Sequence, residues 1–561
     1  MNILLLLLLI LSYLTFIVTS ISTSKIHNGN RMLSVGVKAR LQTNKFSTGL
    51  TMVQSPKKVP YGVSCFEDIV KNNFVYFDRT AAMKDIEDSG YYLKIWRPRR
   101  SGKSLFCDQL ALYYDKQKAL KAEKVRKCYL RNEIFLHRFS HENFDKSKYL
   151  QAFENTYIGQ NPTPNRSSFL ILYFSFSNVD TAGSLRDNFR DHVNRRIEDF
   201  SKRYKDILKE DIEINYHNHV DSMEQLFDVV GRADEEVYLI VDEYDSFANR
   251  LLLEIDTTVP DLGRAQYKSD VADKESLLRT FGNVLKTATR TVLKRMFFTG
   301  VTPMAFSDGL SSLNMVQDIS DNPKFESLFG FSEDEVKLGL EQILPGKPTT
   351  EFIDTHLEIM RDNFNGYRFN TQQVARVFNP QMCLYYMNSL KVFGKPPVPL
   401  LDANIADPAD NMAQFLVRNY RGTESVGVLE LLRYKVGFPV DIAREVQTFR
   451  TSQLFDVATV DSALLALAYH HGYLTYCDPI DPIRLGCLVS PNKVYQEMFL
   501  DAIFSAKADV ITKNILGTEE ATSSDGLRKK IFSALKGKIS DSLIDKILDL
   551  LGKRLFKLYY I

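Results

Sequence analysis

Short apolar runs separated by longer amphipathic stretches set the pattern of the first part of the chain. Four runs have the aromatic and β-branched character of strands, namely YYLKIW at 91–96, LILYFSF at 170–176, VYLIV at 237–241 and RMFFTG at 295–300. The stretches between them are helical in pattern, so strands alternate with helices. This order predicts an α/β fold with a doubly wound parallel sheet, whose functional site lies at the carboxyl ends of the strands.

A helix is predicted soon after the first strand. In LFCDQLALYYD, residues 105–115, the apolar side chains of Phe106, Leu110 and Tyr113 have the i, i+4, i+7 spacing of one helix face. The first strand, the loop RPRRSGKS and this helix therefore follow one another directly.

That loop has the ending of a phosphate-binding loop. It closes with Gly102, Lys103 and Ser104 at the start of the helix, where free N–H groups and the positive end of the helix dipole attract phosphate. Arg97 stands where such a loop usually opens with glycine. The two alternatives are a chance Gly-Lys-Ser triplet and a P-loop of an unusual kind.

In the P-loop interpretation the loop binds ATP with Mg²⁺. Lys103 reaches the β- and γ-phosphates and Ser104 holds Mg²⁺. The predicted nucleotide-binding residues are Arg100, Ser101, Gly102, Lys103 and Ser104. Arg97, Arg99 and Arg100 add cationic donors suited to phosphate, and a solvated basic turn is the alternative for each of them.

A second acidic site is expected downstream, because a P-loop alone does not hydrolyse nucleotide. EEVYLIVDEYDSF, residues 235–247, is an apolar strand that ends in Asp242 and Glu243. Asp242 suits the role of holding Mg²⁺ through water, and Glu243 suits a general base. Thr299, near the end of the fourth strand, has the position of a γ-phosphate sensor. The alternative for the acidic pair is an exposed turn after a core strand.

These motifs resemble the AAA-ATPase-like family, whose P-loop reads RPRRxGKS or RPRRxGKT, with arginine in place of the first glycine. Further blocks resemble the family in order: PYGVSCFEDIVKNNFVYFDRT at 60–80, VDEYDSF, FFTGVTPMAFSDGLSSLNMVQDIS with SLFGFSEDEV within 297–336, FNGYRF, VFNPQMCLYYM, and YHHGYLTY with VSPNKVYQEMF. The resemblance runs from about Pro60 to Phe499. It implies a P-loop ATPase core with ATP and Mg²⁺ as its ligands.

The chain departs from the family pattern in two places. Many members continue into a PD-(D/E)XK nuclease domain, whereas the residues after Phe499 show amphipathic helical runs without the nuclease motif, so no nuclease is expected. Phe247 follows Ser246 where the family has proline, so the loop beyond the acidic pair is expected to differ.

Charge is distributed unevenly along the chain. The formal net charge is +2, yet no acidic residue precedes Glu67, so the remainder is mildly acidic. This balance gives no strong nucleic-acid signature. The first twenty residues read as a secretory signal peptide, with a retained anchor as the alternative, and no later stretch is apolar enough to span a membrane. The basic, Ser- and Thr-rich leader that follows predicts plastid targeting through the secretory route, or a linker of a secreted protein.

Two histidine pairs and one arginine are further candidates. His217 with His219, and His470 with His471, suggest a metal site, but they have no Cys or carboxylate neighbours at ligand spacing, which favours structural roles. Arg368 in NGYRF is a candidate sensor or finger for a neighbouring nucleotide, with a structural role as the favoured alternative.

Together the patterns predict an α/β P-loop core followed by a mostly helical C-terminal region. The predicted domains are a signal peptide at 1–20, a leader at 21–58, an AAA-ATPase-like P-loop domain at 59–340, a helical part of the family match at 341–500 and a helical tail at 501–561. The predicted function is Mg²⁺-dependent ATP hydrolysis coupled to conformational change. A nucleotide-binding switch or scaffold with little turnover is one alternative, and an interaction protein that no longer binds nucleotide is another.

Overall fold

The computed structural model describes a large part of the chain, all of it in one unit that begins at Ser55. The described residues are 55–117, 152–180, 182–246, 249–250, 277–303, 313–346, 348–370, 373, 375–419, 453, 460–476, 488–498 and 502. The predicted signal peptide, most of the leader, Phe247 and almost all of the predicted tail lie outside these residues.

The centre of the described core is a five-stranded parallel sheet with the order β2-β3-β4-β1-β5. The strands are β1 Tyr92–Trp96, β2 Leu170–Ser175, β3 Val237–Asp242, β4 Leu293–Gly300 and β5 Gln317–Asp318. The predicted α/β class with a parallel sheet is confirmed, and each of the four predicted strands is present. The short β5 was not predicted, because its two polar, exposed residues give no hydrophobic signal.

Helices cover both faces of the sheet and form most of the described C-terminal region. Those of the core are α1 Phe66–Lys71, α2 Ala82–Ser89, α3 Lys103–Tyr114, α4 Tyr157–Gln160, α5 Leu185–Leu208, α6 His219–Arg232 and α7 at 277–288. Those of the C-terminal region are α8 Glu333–Ile343, α9 Thr350–Phe364, α10 Pro380–Phe393, α11 Ala403–Asn419 and α12 Val460–His470, followed by a small antiparallel pair, β6 Thr475–Tyr476 and β7 Leu488–Val489. The predicted helical character of this region is confirmed.

The alternation of side chains along the strands determines which of them face the P-loop helix α3. Tyr238 and Ile240 of β3 pack in the same apolar cluster as α3, and Phe297 of β4 contacts Phe106 of that helix with ring centroids 6.0 Å apart. Successive side chains of a strand point to opposite faces. Asp242 and Thr299 therefore lie on the α3 face of the sheet.

The C-terminal region has its own apolar core, built mainly from α8 to α12, and the segments on either side of α1 join it to the sheet domain. Tyr61 donates its hydroxyl hydrogen to the Asp402 carboxylate at 2.9 Å, and Arg79 forms an ion pair with Glu335. The N-terminal part of the described chain thus touches both regions. In the described residues, no helix has the length and apolar character required to cross a bilayer.

Candidate nucleotide-binding site

The loop between β1 and α3 has the backbone of a phosphate-binding turn. Gly102 is the N-cap of α3 with φ 102°, and Arg100 also has a positive φ of 63°. Glycine takes such angles without strain, whereas they are costly for arginine and are typical of functional turns. Because Gly102 has no capping side chain, the first N–H groups of α3 are available to water or to an anion.

Lys103 is the buried cation of this loop. Its ammonium donates hydrogen bonds to the carbonyl oxygens of Arg97 at 3.0 Å and Pro98 at 2.9 Å, which leaves a third N–H donor. Burial lowers the pKa of Lys103, while the carboxylates of Glu243 and Asp242 oppose that shift. The lysine side chain therefore braces the loop and lies close to the acidic pair at the end of β3.

Arg97, considered above as a phosphate donor, has a different place in the structure. Its buried guanidinium donates to the carbonyl oxygens of Trp96, Ser320 and Phe325 at 2.8, 3.0 and 3.1 Å and lies 4.3 Å from the ring centroid of Phe369. Burial lowers its pKa to about 10, so it stays cationic at neutral pH. The arginine that replaces the usual glycine ties the loop to the chain after β5 and to the C-terminal region, and it does not line the larger cavity described below.

Asp242 closes β3 and is buried beside the loop. Its Oδ1 atom has no hydrogen-bond partner in the described part of the chain, and Oδ2 lies 3.5 Å from the Tyr173 hydroxyl. Burial raises its pKa to about 6, and hydrogen bonding from Ser104 counteracts that rise, as does the charge of Lys103. Ser104 and Asp242 thus lie together on the wall of a small cavity, where Asp242 Oδ1 can still accept a hydrogen bond.

The raised pKa of Asp242 gives a testable consequence for stability. The native state binds the Asp242 proton more tightly than the unfolded chain does, so the stabilising contribution of this group is fully present below about pH 4 and is lost as pH rises through about 6. Asp242→Asn removes this cost, which is on the order of 3 kcal/mol. In EDTA without nucleotide, we expect a higher thermal midpoint for Asp242→Asn than for wild type at pH 7.5. We expect a smaller difference at pH 4.5, where about a third of the cost remains.

The control for this comparison is Glu224→Gln, which neutralises an exposed carboxylate on α6. It should leave both midpoints unchanged. An Asp242→Asn midpoint that is no higher than that of wild type at pH 7.5 would show that the ionised carboxylate does not strain the free protein.

Glu243 lies in the turn after β3 in a left-handed conformation, with φ 50°. Such an angle is uncommon for a residue other than glycine, asparagine or aspartate, and it places the half-buried side chain on the wall of both cavities at this site. Thr299 has a different position: it is fully buried in β4, its Oγ1 has no hydrogen-bond partner among the residues described, and it lines neither cavity.

Asp245 connects the acidic turn to the end of β4 and was not among the residues predicted from the sequence. Its carboxylate accepts hydrogen bonds from the backbone N–H of Val301 at 3.1 Å and of Thr302 at 2.6 Å, and from the Thr302 hydroxyl at 2.8 Å. Gly300 is required here, because a Cβ atom would lie 2.5 Å from both Asp245 Oδ1 and the Tyr244 ring. The second aspartate of VDEYDSF was the available signal for this contact.

Two adjoining cavities open at the loop. The larger, about 660 Å³, is lined by Arg99, by the predicted residues Arg100, Ser101, Gly102, Lys103, Ser104 and Glu243, and by C-terminal residues that include His471. The smaller, about 350 Å³, is lined by Ser104, Asp108, Asp242 and Glu243, among others. The larger volume lies within the usual range for small-molecule sites, about 300–1,000 Å³. Of the residues predicted for this site, Thr299 and Arg97 lie away from both walls.

Several sequence candidates lie elsewhere. The His219 ring is buried against Phe189 at 5.5 Å, and burial lowers its pKa to about 4. The backbone N–H of Arg368 donates to Thr475 Oγ1 at 2.7 Å, and its side chain lines a separate small cavity. Within the described residues, no group of three or more His, Cys, Asp or Glu side chains forms a metal cluster. His471, by contrast, reaches the larger cavity, and only the fold reveals that.

The fold and this site define a P-loop α/β domain. Residues 60–144 and 133–310 match the family described as "Predicted AAA-ATPase", so this part of the chain is similar to that AAA-ATPase-like family. The match places the chain among the P-loop nucleotide-binding proteins.

The chain is also similar to a curated protein and to a solved structure. A curated relative, "Uncharacterized protein in vnfD 5'region" of Azotobacter chroococcum mcd 1, is 23% identical over 333 residues, which cover 58% of this chain and 51% of the relative. The chain therefore spans about half the length of that protein. The crystal structure of Cdc6p from Pyrobaculum aerophilum is similar with a TM-score of 0.28 and 9% identity over 79% of this chain and 98% of that one.

Proposed function

We propose that the protein binds ATP together with Mg²⁺ at the β1–α3 loop and hydrolyses it to ADP and phosphate. One observation carries the proposal: buried polar atoms without hydrogen-bond partners in the described residues gather around a buried lysine at a helix N-terminus. These atoms are Ser101 Oγ, in the loop beside Lys103, and Asp242 Oδ1, whose carboxylate charge acts on Lys103. Unpaired buried polar groups are costly, and a site that binds a polar ligand is one reason for a fold to keep them.

The residues present suit a magnesium nucleotide. A hydroxyl and a carboxylate oxygen, from Ser104 and Asp242, are the hard oxygen ligands that Mg²⁺ prefers alongside phosphate oxygens and water. When bound, Mg²⁺ neutralises charge on the phosphates. A site that shares its metal with the substrate needs few protein carboxylates.

Each predicted residue then has a role. Lys103 and the first N–H groups of α3 neutralise phosphate charge, and Ser104 with Asp242 positions the metal. Glu243, on the wall of both cavities, accepts the proton of the attacking water. Thr299, with its unpartnered hydroxyl on the α3 face of the sheet, is the proposed sensor of the γ-phosphate.

A nucleotide-binding switch with little turnover is the second candidate. It is favoured by the composition of the larger cavity, whose wall includes Asn404, Ile405, His471, Tyr473 and Tyr495 of the C-terminal region. A nucleotide in this cavity would touch both regions and so bias their arrangement.

Measurements on the wild-type protein distinguish ATP hydrolysis from a nucleotide-binding switch. We expect ATP with Mg²⁺ to raise the thermal midpoint, as a ligand that binds only the folded state does, and we expect phosphate release that stops in EDTA. Stabilisation without phosphate release above background would favour the switch. If neither effect appears at millimolar ATP, the proposal that the protein binds ATP is overturned.

A further inference from the structure

The turn after α12 lies directly on the phosphate-binding loop. Gly472 has φ 84°, and a Cβ atom there would lie 3.0 Å from Pro98 Cβ and 3.3 Å from Tyr367 Cε1. Both the backbone angle and the contact require glycine. This turn therefore brings the residue before Gly472, His471, from the C-terminal region to the edge of the larger cavity.

His471 is buried there, and one of its ring nitrogens has no hydrogen-bond partner among the described residues. Its side chain is only 7% exposed and lines the same cavity as Arg99 and Lys103, and Nε2 has no hydrogen-bond partner within the described chain. Its backbone N–H is satisfied, since it donates to Leu467 O at 3.0 Å. An unmet buried polar atom of this residue, Nε2, therefore lies on the ring that forms part of the cavity wall.

The charges around His471 select an anionic ligand. Burial lowers the pKa of His471 well below its ordinary value, and the neighbouring charges of Arg99, His470 and Lys103 lower it further. The ring is then neutral, with one N–H to donate. In a wall that already holds Arg99 and Lys103, the ligand group best able to accept from this N–H is a phosphate oxygen.

We propose that His471 positions the nucleotide: its Nε2–H donates a hydrogen bond to a phosphate oxygen of the nucleotide held by the β1–α3 loop. This inference rests on the proposed function and extends it, because the contact makes the C-terminal region part of the phosphate site. Release of the phosphate removes the hydrogen bond that joins the two regions at this point.

The test compares ring variants in ATP binding by calorimetry, with Mg²⁺ present. A hydrogen bond to a charged group is worth about 1.5–3 kcal/mol, so His471→Phe should weaken ATP binding about 10- to 100-fold. His471→Gln, whose amide nitrogen can occupy the place of Nε2, should restore much of the affinity. His471→Ala gives the same comparison without added bulk, in case phenylalanine disturbs the turn.

His470→Phe is the matched control. His470 is the adjacent residue and is equally buried, but it lines the separate small cavity beside Arg97. It should bind ATP like wild type, and thermal midpoints without ligand will show which variants fold.

Binding of inorganic tripolyphosphate shows whether His471 contacts the phosphates or another part of the nucleotide. We expect His471→Phe to lose affinity for tripolyphosphate as well as for ATP. A loss for ATP alone would overturn the phosphate contact, and so would unchanged ATP binding in both the Phe and Ala variants. If wild type binds no ATP, the proposed function itself fails, which is a distinct result.

Discussion

Lys103→Ala should bind ATP at least about 100-fold more weakly than wild type, because it removes the buried cation at the N-terminus of α3. Hydrogen bonds to charged groups contribute about 1.5–3 kcal/mol each, and the ammonium offers several to a polyphosphate. It also braces the carbonyl groups of Arg97 and Pro98, so its loss loosens the loop that presents the amide groups. Calorimetric titration with ATP and Mg²⁺ measures the effect.

Lys116→Ala is the matched control for this variant. Lys116 follows the other end of the same helix and pairs with Glu235 at 2.7 Å, away from both cavities. It should bind ATP normally. If Lys103→Ala retains the wild-type affinity while folding normally, the β1–α3 loop is not the phosphate site.

The sheet could be predicted because its signals are local. Each of the four predicted strands is a short apolar run, and the glycine, lysine and serine that follow β1 are adjacent in sequence. Asp242 and Glu243 were found for the same reason, because strand alternation and a position at a strand end follow from a few neighbouring residues. No such run marks β5, whose two residues pair with the backbone of β1 and gain one side-chain hydrogen bond, from the Trp96 indole to the Asp318 carboxylate at 2.8 Å.

The environment of Arg97 could not be predicted, because its partners are remote in the chain. Its guanidinium contacts Ser320, Phe325 and Phe369, each more than two hundred residues away. From the sequence alone, all three arginines of the loop were predicted to be cationic donors to phosphate. The fold gives them different environments. Arg97 is buried and hydrogen-bonded to backbone carbonyl groups, whereas Arg99 and Arg100 line the larger cavity.

His471 shows the same limit. A histidine pair in a sequence suggests either a metal site or a place in the core. Neither interpretation predicts a contact with the β1–α3 loop, which lies far earlier in the chain. Gly472 is what places the pair, since its close approach to Pro98 sends one ring to the large cavity and the other to a small one. Contacts between the two regions decide the roles of such residues, and periodicity carries no information about them.

Glu243→Gln should bind ATP with nearly the wild-type affinity and turn it over about 10²- to 10⁴-fold more slowly. Glutamine keeps the shape of the side chain but cannot accept a proton from water. Lys103, Ser104 and Asp242 are unchanged, so the phosphates and the metal keep their contacts. The two variants therefore have different defects. Lys103→Ala loses affinity for ATP, whereas Glu243→Gln binds ATP but hydrolyses it slowly. Calorimetry and steady-state phosphate release separate the two effects.

Glu236→Gln is the control for the chemical step. Glu236 is an exposed carboxylate just before β3, at the opposite end of the strand from Glu243, so its neutralisation should leave binding and turnover unchanged. A Glu243→Gln protein that releases phosphate at the wild-type rate would remove Glu243 from the mechanism. Wild-type protein that binds ATP but releases no phosphate would leave nothing for Glu243→Gln to slow, and the site would then act as a switch.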